Sequence, residues 1–174
     1  MLKLEAVDFQ ALPMALLPKV KAHCRVEFTR DDPYLMDATA RAIAEVESQT
    51  DLSINPATWR WSPGDECGSS SERYWLPKTP VRQVMMVDTA GNQTPADLGY
   101  YDNRVWLKNG ATTGEYLLEV GYATVTEIAP AVLNPILLLT GTLYEQREAV
   151  QMGTLGELPD MATRLLTGLW RPAV

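Results

Sequence analysis

At 174 residues, with 46% hydrophobic and 21% charged side chains, the chain is sized for one globular domain with a core of its own. Its 22 acidic and 15 basic residues leave a net charge of −7 and a pI near 4.7. That balance excludes a protein that grips nucleic acid by neutralising phosphates, and it suits a surface that DNA slides past without sticking.

The first predicted element is a short helix over 16–24 with Pro18 in its opening turn. A stronger helix follows Asp31-Asp32-Pro33, where an aspartate caps the start and proline fills a first-turn position that needs no N–H donor. Leu35, Thr39, Ala42, Ile43 and Val46 recur at helical spacing, while Asp37, Arg41, Glu45 and Glu47 point elsewhere, so this helix runs to about Gln49.

From about 57 to 122 the pattern changes to strands and turns. Trp59-Arg60-Trp61 and Tyr74-Trp75-Leu76 alternate, and Val81, Val84 and Met86 lie in a run of strand formers. The clearest strand spans 115–122, with Tyr116, Leu118, Val120 and Tyr122 on one face and Glu119 on the other. Residues 63–71 have loop composition, and Asp88–Asn92 and Lys108-Asn109-Gly110 are hairpin turn signals.

Helix returns near Pro130. It starts either there, in which case Pro135 must kink it, or at Asn134-Pro135 as cap and first position. Ile136, Leu139 and Leu143 share a face, and the segment closes in Tyr144-Glu145-Gln146-Arg147-Glu148, where two carboxylates and a guanidinium follow a long apolar run. A last helix over 159–169 carries Met161, Leu165, Leu166 and Leu169, and Pro172 stops it. The expected class is α+β: a mainly helical core, with two N-terminal helices (about 16–50) and two C-terminal helices (about 130–171), interrupted by a central antiparallel β insertion. All 174 residues are expected to form a single domain.

Chemistry is sparse along this chain. His23 is the single histidine, and with Cys24 and Cys67 as the only thiols it gives no metal-ligand set and no disulfide framework. His23 cannot activate its neighbour Cys24, because adjacent helical side chains point about 100° apart. The carboxylate pairs Asp31-Asp32 and Glu145/Glu148 lack a visible cleft or relay for glycoside hydrolysis, and a helix cap and a solvated or interface face account for them more simply. No glycine-rich run leads into Lys-Ser or Lys-Thr. No catalytic residue, metal or cofactor is expected. The start lacks the apolar core and cleavage site of a signal peptide, and Asn134, Pro135 and Gly141 break the best membrane-helix candidate, so a soluble cytosolic chain is expected. What remains are features of assembly: five tryptophans, four of them in the β region, and Trp170 on a short tail.

The order of motifs resembles the head–tail connector family of tailed bacteriophages, the adaptor or head-completion proteins. Lys21-Ala22-His23-Cys24-Arg25-Val26 followed by Asp31-Asp32-Pro33-Tyr34-Leu35 is similar to that family's opening, where a short helix ending in His-Leu-Arg-Val precedes an Asp-Asp cap and a long helix; here Cys24 replaces the leucine. Ala42, Val46-Glu47 and Thr50 match the long helix. Leu76-Pro77 with Pro80-Val81 and Val84, Leu118–Tyr122, Pro130 through Glu148, and Pro159 with Leu165-Leu166 up to Arg171 extend the resemblance over nearly the whole chain.

The resemblance implies a structural virion protein made in the bacterial cytoplasm and placed at the neck. It would be one subunit of a ring, dodecameric by expectation, docked below the portal and extending the DNA channel. DNA would pass through an acid-lined lumen without sequence-specific binding. Leu169, Trp170, Arg171, Pro172, Ala173 and Val174 would engage the portal; Glu145, Arg147 and Glu148 would pair between subunits; and Trp59, Trp61 and Trp75 would contact adjacent subunits or the downstream neck or tail protein, a stopper or terminator. Two alternatives differ in partner or chemistry: another ring-forming neck protein such as a tail terminator, and a small hydrolase using a carboxylate pair.

Overall fold

A computed structural model of the chain describes residues 1–50, 52–63, 74–101, 104–108 and 114–146. The chain divides into two compact units. One takes residues 1–8 and 52–122; the other takes 9–51 and 123–174. The α+β class holds, with sheets that are antiparallel throughout.

The sheet unit contains β1 (Leu2–Val7), β2 (Ala57–Trp61), β3 (Tyr74–Trp75), β4 (Val81–Val87), β5 (Gln93–Pro95), β6 (Leu98–Tyr101), β7 (Arg104–Leu107) and β8 (Glu115–Val120). They form a five-stranded sheet in the order β1-β2-β8-β4-β5 and a three-stranded sheet in the order β3-β7-β6. Both sheets feed one core, with Ala57, Trp61, Val84, Tyr116, Leu118 and Val120 from the larger and Leu76, Val105 and Leu107 from the smaller side.

The period-2 pattern of β8 is borne out, because Tyr116, Leu118 and Val120 are all buried while Glu115 is exposed. Tyr122 does not continue it. Gly121, at φ +92°, ends the strand; its N–H donates to the Pro80 carbonyl and that of Tyr122 to the Ile54 carbonyl. The Asp88–Asn92 turn joins β4 to β5 as a hairpin. Its geometry is held by the Asp88 carboxylate, which accepts from the backbone of Ala90 and Asn92 and from the Asn92 amide. These bonds, the Asn92 side chain foremost, keep the Asp88 carboxyl below its ordinary pKa.

Two expectations about the sheet need correcting. Residues 2–7, to which no element is assigned above, form β1 on the edge of the larger sheet, paired with β2. The β region is therefore not a contiguous insertion over 57–122. Lys108-Asn109-Gly110 does not stand between paired neighbours either, and 109–113 lie outside the described residues: β7 pairs with β3 and β6, β8 with β2 and β4, so the strands before and after it belong to different sheets.

The helical unit contains α1 (Ala11–Cys24), α2 (Asp32–Gln49), a 3₁₀ turn (Val125–Glu127) and α3 (Pro130–Glu145). On α2, the predicted face Leu35, Thr39, Ala42, Ile43 and Val46 is buried, joined by Ala38. Leu12, Leu16 and Val20 of α1 and Val132, Ile136 and Leu139 of α3 complete the faces that the helices bury, with Val26 and Ile128 added from the connections. Thr39 and Thr140 are fully buried, and each hydroxyl donates to the carbonyl four residues back, Leu35 and Ile136, at 2.7 Å. A polar atom thus enters the core without an unmet bond.

The first helix starts at Ala11, five residues earlier than its predicted start, so Pro18 lies inside it and not in its opening turn. Of the two starts open for the third helix, Pro130 is the one adopted, with Pro135 inside and the Ala129 carbonyl accepting from Val132 and Leu133. Proline is tolerated at both places within a helix that packs on neighbours, at the cost of one backbone bond each. The helix expected over 159–169 lies outside the described residues.

Candidate interaction surfaces

The acidic pair at the start of α2 does something other than capping. Asp31 occupies the cap position, but its side chain makes no cap hydrogen bond. Its carboxylate accepts instead from the Tyr144 hydroxyl at 2.7 Å, and the Tyr34 hydroxyl donates to the Leu143 carbonyl at 2.8 Å. The rings of Tyr34 and Tyr144 lie 6.2 Å apart. Asp32 pairs with Lys21 at 2.6 Å, and the same ammonium donates to the Phe28 carbonyl. Both carboxylates are therefore committed to tertiary contacts: Asp31 ties α3 to the cap of α2, and Asp32 ties α1 to the first residue of α2. Sequence spacing alone points to a cap, because partners more than 100 residues away leave no local trace.

Glu145 closes α3 near Cys24; Arg147 and Glu148, predicted with it as a subunit contact, lie outside the described residues, as do Leu169, Trp170, Arg171, Pro172, Ala173 and Val174. Burial pushes the Cys24 thiol above its ordinary pKa, and the Glu145 carboxylate pushes the same way. A raised pKa means less thiolate at neutral pH and a slow nucleophile. In a Cys67→Ser background, Cys24 should react with a thiol reagent at pH 8 more slowly than free cysteine does. Glu145→Gln should speed it modestly, since it removes the smaller of the two causes; equal rates in both variants would place Glu145 out of electrostatic reach. His23 is exposed, and among the described residues no three His, Cys, Asp or Glu side chains cluster as metal ligands.

The three tryptophans expected to face partners separate into different environments. Trp61 is 5% exposed and packs tilted against Tyr116, ring centroids 5.8 Å apart, so it belongs to the sheet unit's own core. Trp59 is half-buried, with the Lys78 ammonium 6.0 Å over its ring and its Nε1 shielded from water with no acceptor among the described residues. Trp75 is half-buried on the face of the smaller sheet that turns away from the core. There it meets Trp106 edge-on at 5.2 Å and carries the Arg104 guanidinium 4.6 Å over its ring. Opposite Trp106 stands Gly99, where any Cβ would run into the indole. Sequence reasoning placed Trp106 in the β region but missed Arg104 and Gly99. The alternation in Arg104-Val105-Trp106-Leu107 does put Arg104 beside Trp106, whereas Gly99 is found only through the strand register.

On the opposite surface of the larger sheet, Arg60 bridges Glu5 of β1 and Glu115 of β8, the latter at 2.7 Å. Both carboxylates, Glu5 first, raise the guanidinium's already high pKa. No helix among the described residues is long and apolar enough to cross a membrane.

No family model matches this chain, and no curated protein is similar to it. Solved structures do match its fold over its length. A chain from the virion of a native gene transfer agent (GTA) particle superposes with a TM-score of 0.71 at 20% identity, covering 100% of this chain and 97% of that one. A chain from the neck of an empty GTA particle computed with C6 symmetry gives 0.65 at 22% identity, covering 100% and 97%. One from the neck of the native particle computed with C12 symmetry gives 0.65 at 18% identity, covering 98% and 96%. The chain shares its fold, end to end, with subunits of a phage-like particle and its neck.

Proposed function

We propose that this chain is a structural neck protein of a phage-like particle: one subunit of an adaptor ring that docks below the portal, extends the DNA channel and receives the next neck or tail protein. The observation that carries this reading is the full-length likeness to chains of neck assemblies computed with C6 and C12 symmetry. Symmetric assembly of one chain around an axis demands heterologous contacts that close, and both compact units would belong to each subunit. The net charge of −7 supports a lumen that repels DNA and lets it pass. In this reading Glu145, Arg147 and Glu148 pair between subunits, the tail from Leu169 to Val174 engages the portal, and no reaction is catalysed.

Negative-stain images and native mass spectrometry of the purified chain, alone and mixed with portal protein, test the proposal. Rings, or rings formed only on the portal, are the expected result. Deleting 170–174 should abolish portal docking while leaving the circular dichroism spectrum unchanged, since few core contacts are lost with a terminus. A permanent monomer that ignores portal would overturn the reading. Rings that bind the end of a tail tube but not portal would instead make the chain a tail terminator.

A further inference from the structure

We propose that the outer face of the three-stranded sheet is a docking platform for a second copy of this chain, with Arg104 taking a carboxylate of the neighbour and Trp75 and Trp106 covering the apolar side of the segment that bears it. The platform presupposes the ring and identifies one of its contacts.

A strand shows its side chains to two faces in turn. In the smaller sheet one face is used up: Leu76, Val105 and Leu107 are buried in the core, and Tyr74 and Leu98 pack against it. The other face carries Trp75, Trp106 and Arg104, all half-buried, at positions where a sheet facing only water needs no indoles. The three are already fixed in place. Trp106 lies against the β6 backbone because Gly99 has no Cβ, Trp75 leans edge-on against it, and Arg104 is stacked over Trp75. Side chains held before a partner arrives lose little freedom on binding, and Trp and Arg are the residues that most often dominate an interface.

The charge of Arg104 selects the occupant. No carboxylate among the described residues lies within ion-pair distance of it. An indole face attracts a guanidinium without neutralising it, and the guanidinium keeps its in-plane N–H donors for a carboxylate. With 22 acidic residues against 15 basic, carboxylates are the charged group another copy offers most. Flat aromatics beside arginine also suit unstacked nucleic-acid bases, but a chain of charge −7 repels the phosphates that would come with them.

Sedimentation velocity and native mass spectrometry of the full chain, alone and with portal protein, read the outcome. Arg104→Glu should weaken self-association about tenfold or more at low salt, by placing like charges opposite each other, and the difference from wild type should shrink as salt is raised. Arg104→Lys should fall between the two, since it keeps the charge and loses the planar fork. Thermal unfolding of both variants should match wild type. Undiminished rings from Arg104→Glu would overturn the platform and leave the ring standing. Wild-type chain that forms no oligomer under either condition would overturn the ring, and the platform with it. Normal rings from Arg104→Glu combined with lost binding of an oligo-dT probe would assign the face to single-stranded nucleic acid, against the proposal.

Discussion

Gly121→Ala is expected to destabilise the sheet unit by about 2–5 kcal/mol, from left-handed strain and from forced displacement of backbone. Two costs combine. Gly121 sits at φ +92°, a region a side chain enters only with strain, and an added Cβ would collide with the Asn55 carbonyl, which is backbone and cannot swing aside. The position also anchors the end of β8, because its N–H donates to Pro80 and its neighbour's to Ile54. Gly91 is the matched control. Its φ is +84°, but a Cβ there meets nothing within 4 Å, so Gly91→Ala should cost only about 1 kcal/mol of strain. Urea unfolding followed by tryptophan fluorescence reads this unit, since four of the five tryptophans (59, 61, 75 and 106) lie within it. Equal losses from the two variants would mean that Gly121 is not pressed against Asn55.

The second large effect is expected from Leu118→Ala, and it is sharpest beside Leu117→Ala. Leu118 is fully buried in the strand that pairs on both sides, with β2 and β4, so truncation leaves a cavity that strands on either flank cannot close. The expected loss is about 2–5 kcal/mol, or roughly 5–15 °C in melting temperature. Leu117 points to the opposite, half-exposed face between Arg60 and Met85, and its truncation should cost about 1 kcal/mol or less. A one-residue slip in register would reverse the order of the two variants. Thermal melts of both settle it.

Local periodicity explains what was legible. The buried face of α2 follows from spacing within 18 residues, and the alternation of β8 from six. Turn chemistry was legible at Asp88–Asn92, where one carboxylate organises its own neighbours. Misreadings arose where the deciding partner is distant. The strand formed by 2–7 exists because β2, more than 50 residues away, offers an edge. Asp31 takes the cap position as read, but its carboxylate goes to Tyr144 and not to the helix N-terminus. Pro18 reads as a helix start, and Pro135 as one of two possible starts, because isolated helices reject proline inside, whereas packed helices absorb the loss of one hydrogen bond.

The candidate surfaces divide in the same way. Tryptophans at 59, 61 and 75 carry identical local signals, an aromatic in a run of strand formers. Only the tertiary structure seats Trp61 in the core, half-shields Trp59 beside Lys78, and leaves Trp75 on the outer face under Arg104. The amino-acid sequence by itself determined the α+β class, the amphipathic second helix, the central strand and an acidic charge unsuited to gripping DNA, because each depends on residue types or on neighbours within one element. The division into two sheets, the recruitment of the N-terminal strand, the use of Asp31 and Asp32 as ties between helices and the placing of Trp75, Trp106 and Arg104 together on the outer face of the smaller sheet were decided only in three dimensions. Each of those depends on pairings between residues far apart in the chain, whose register and energy no local pattern encodes.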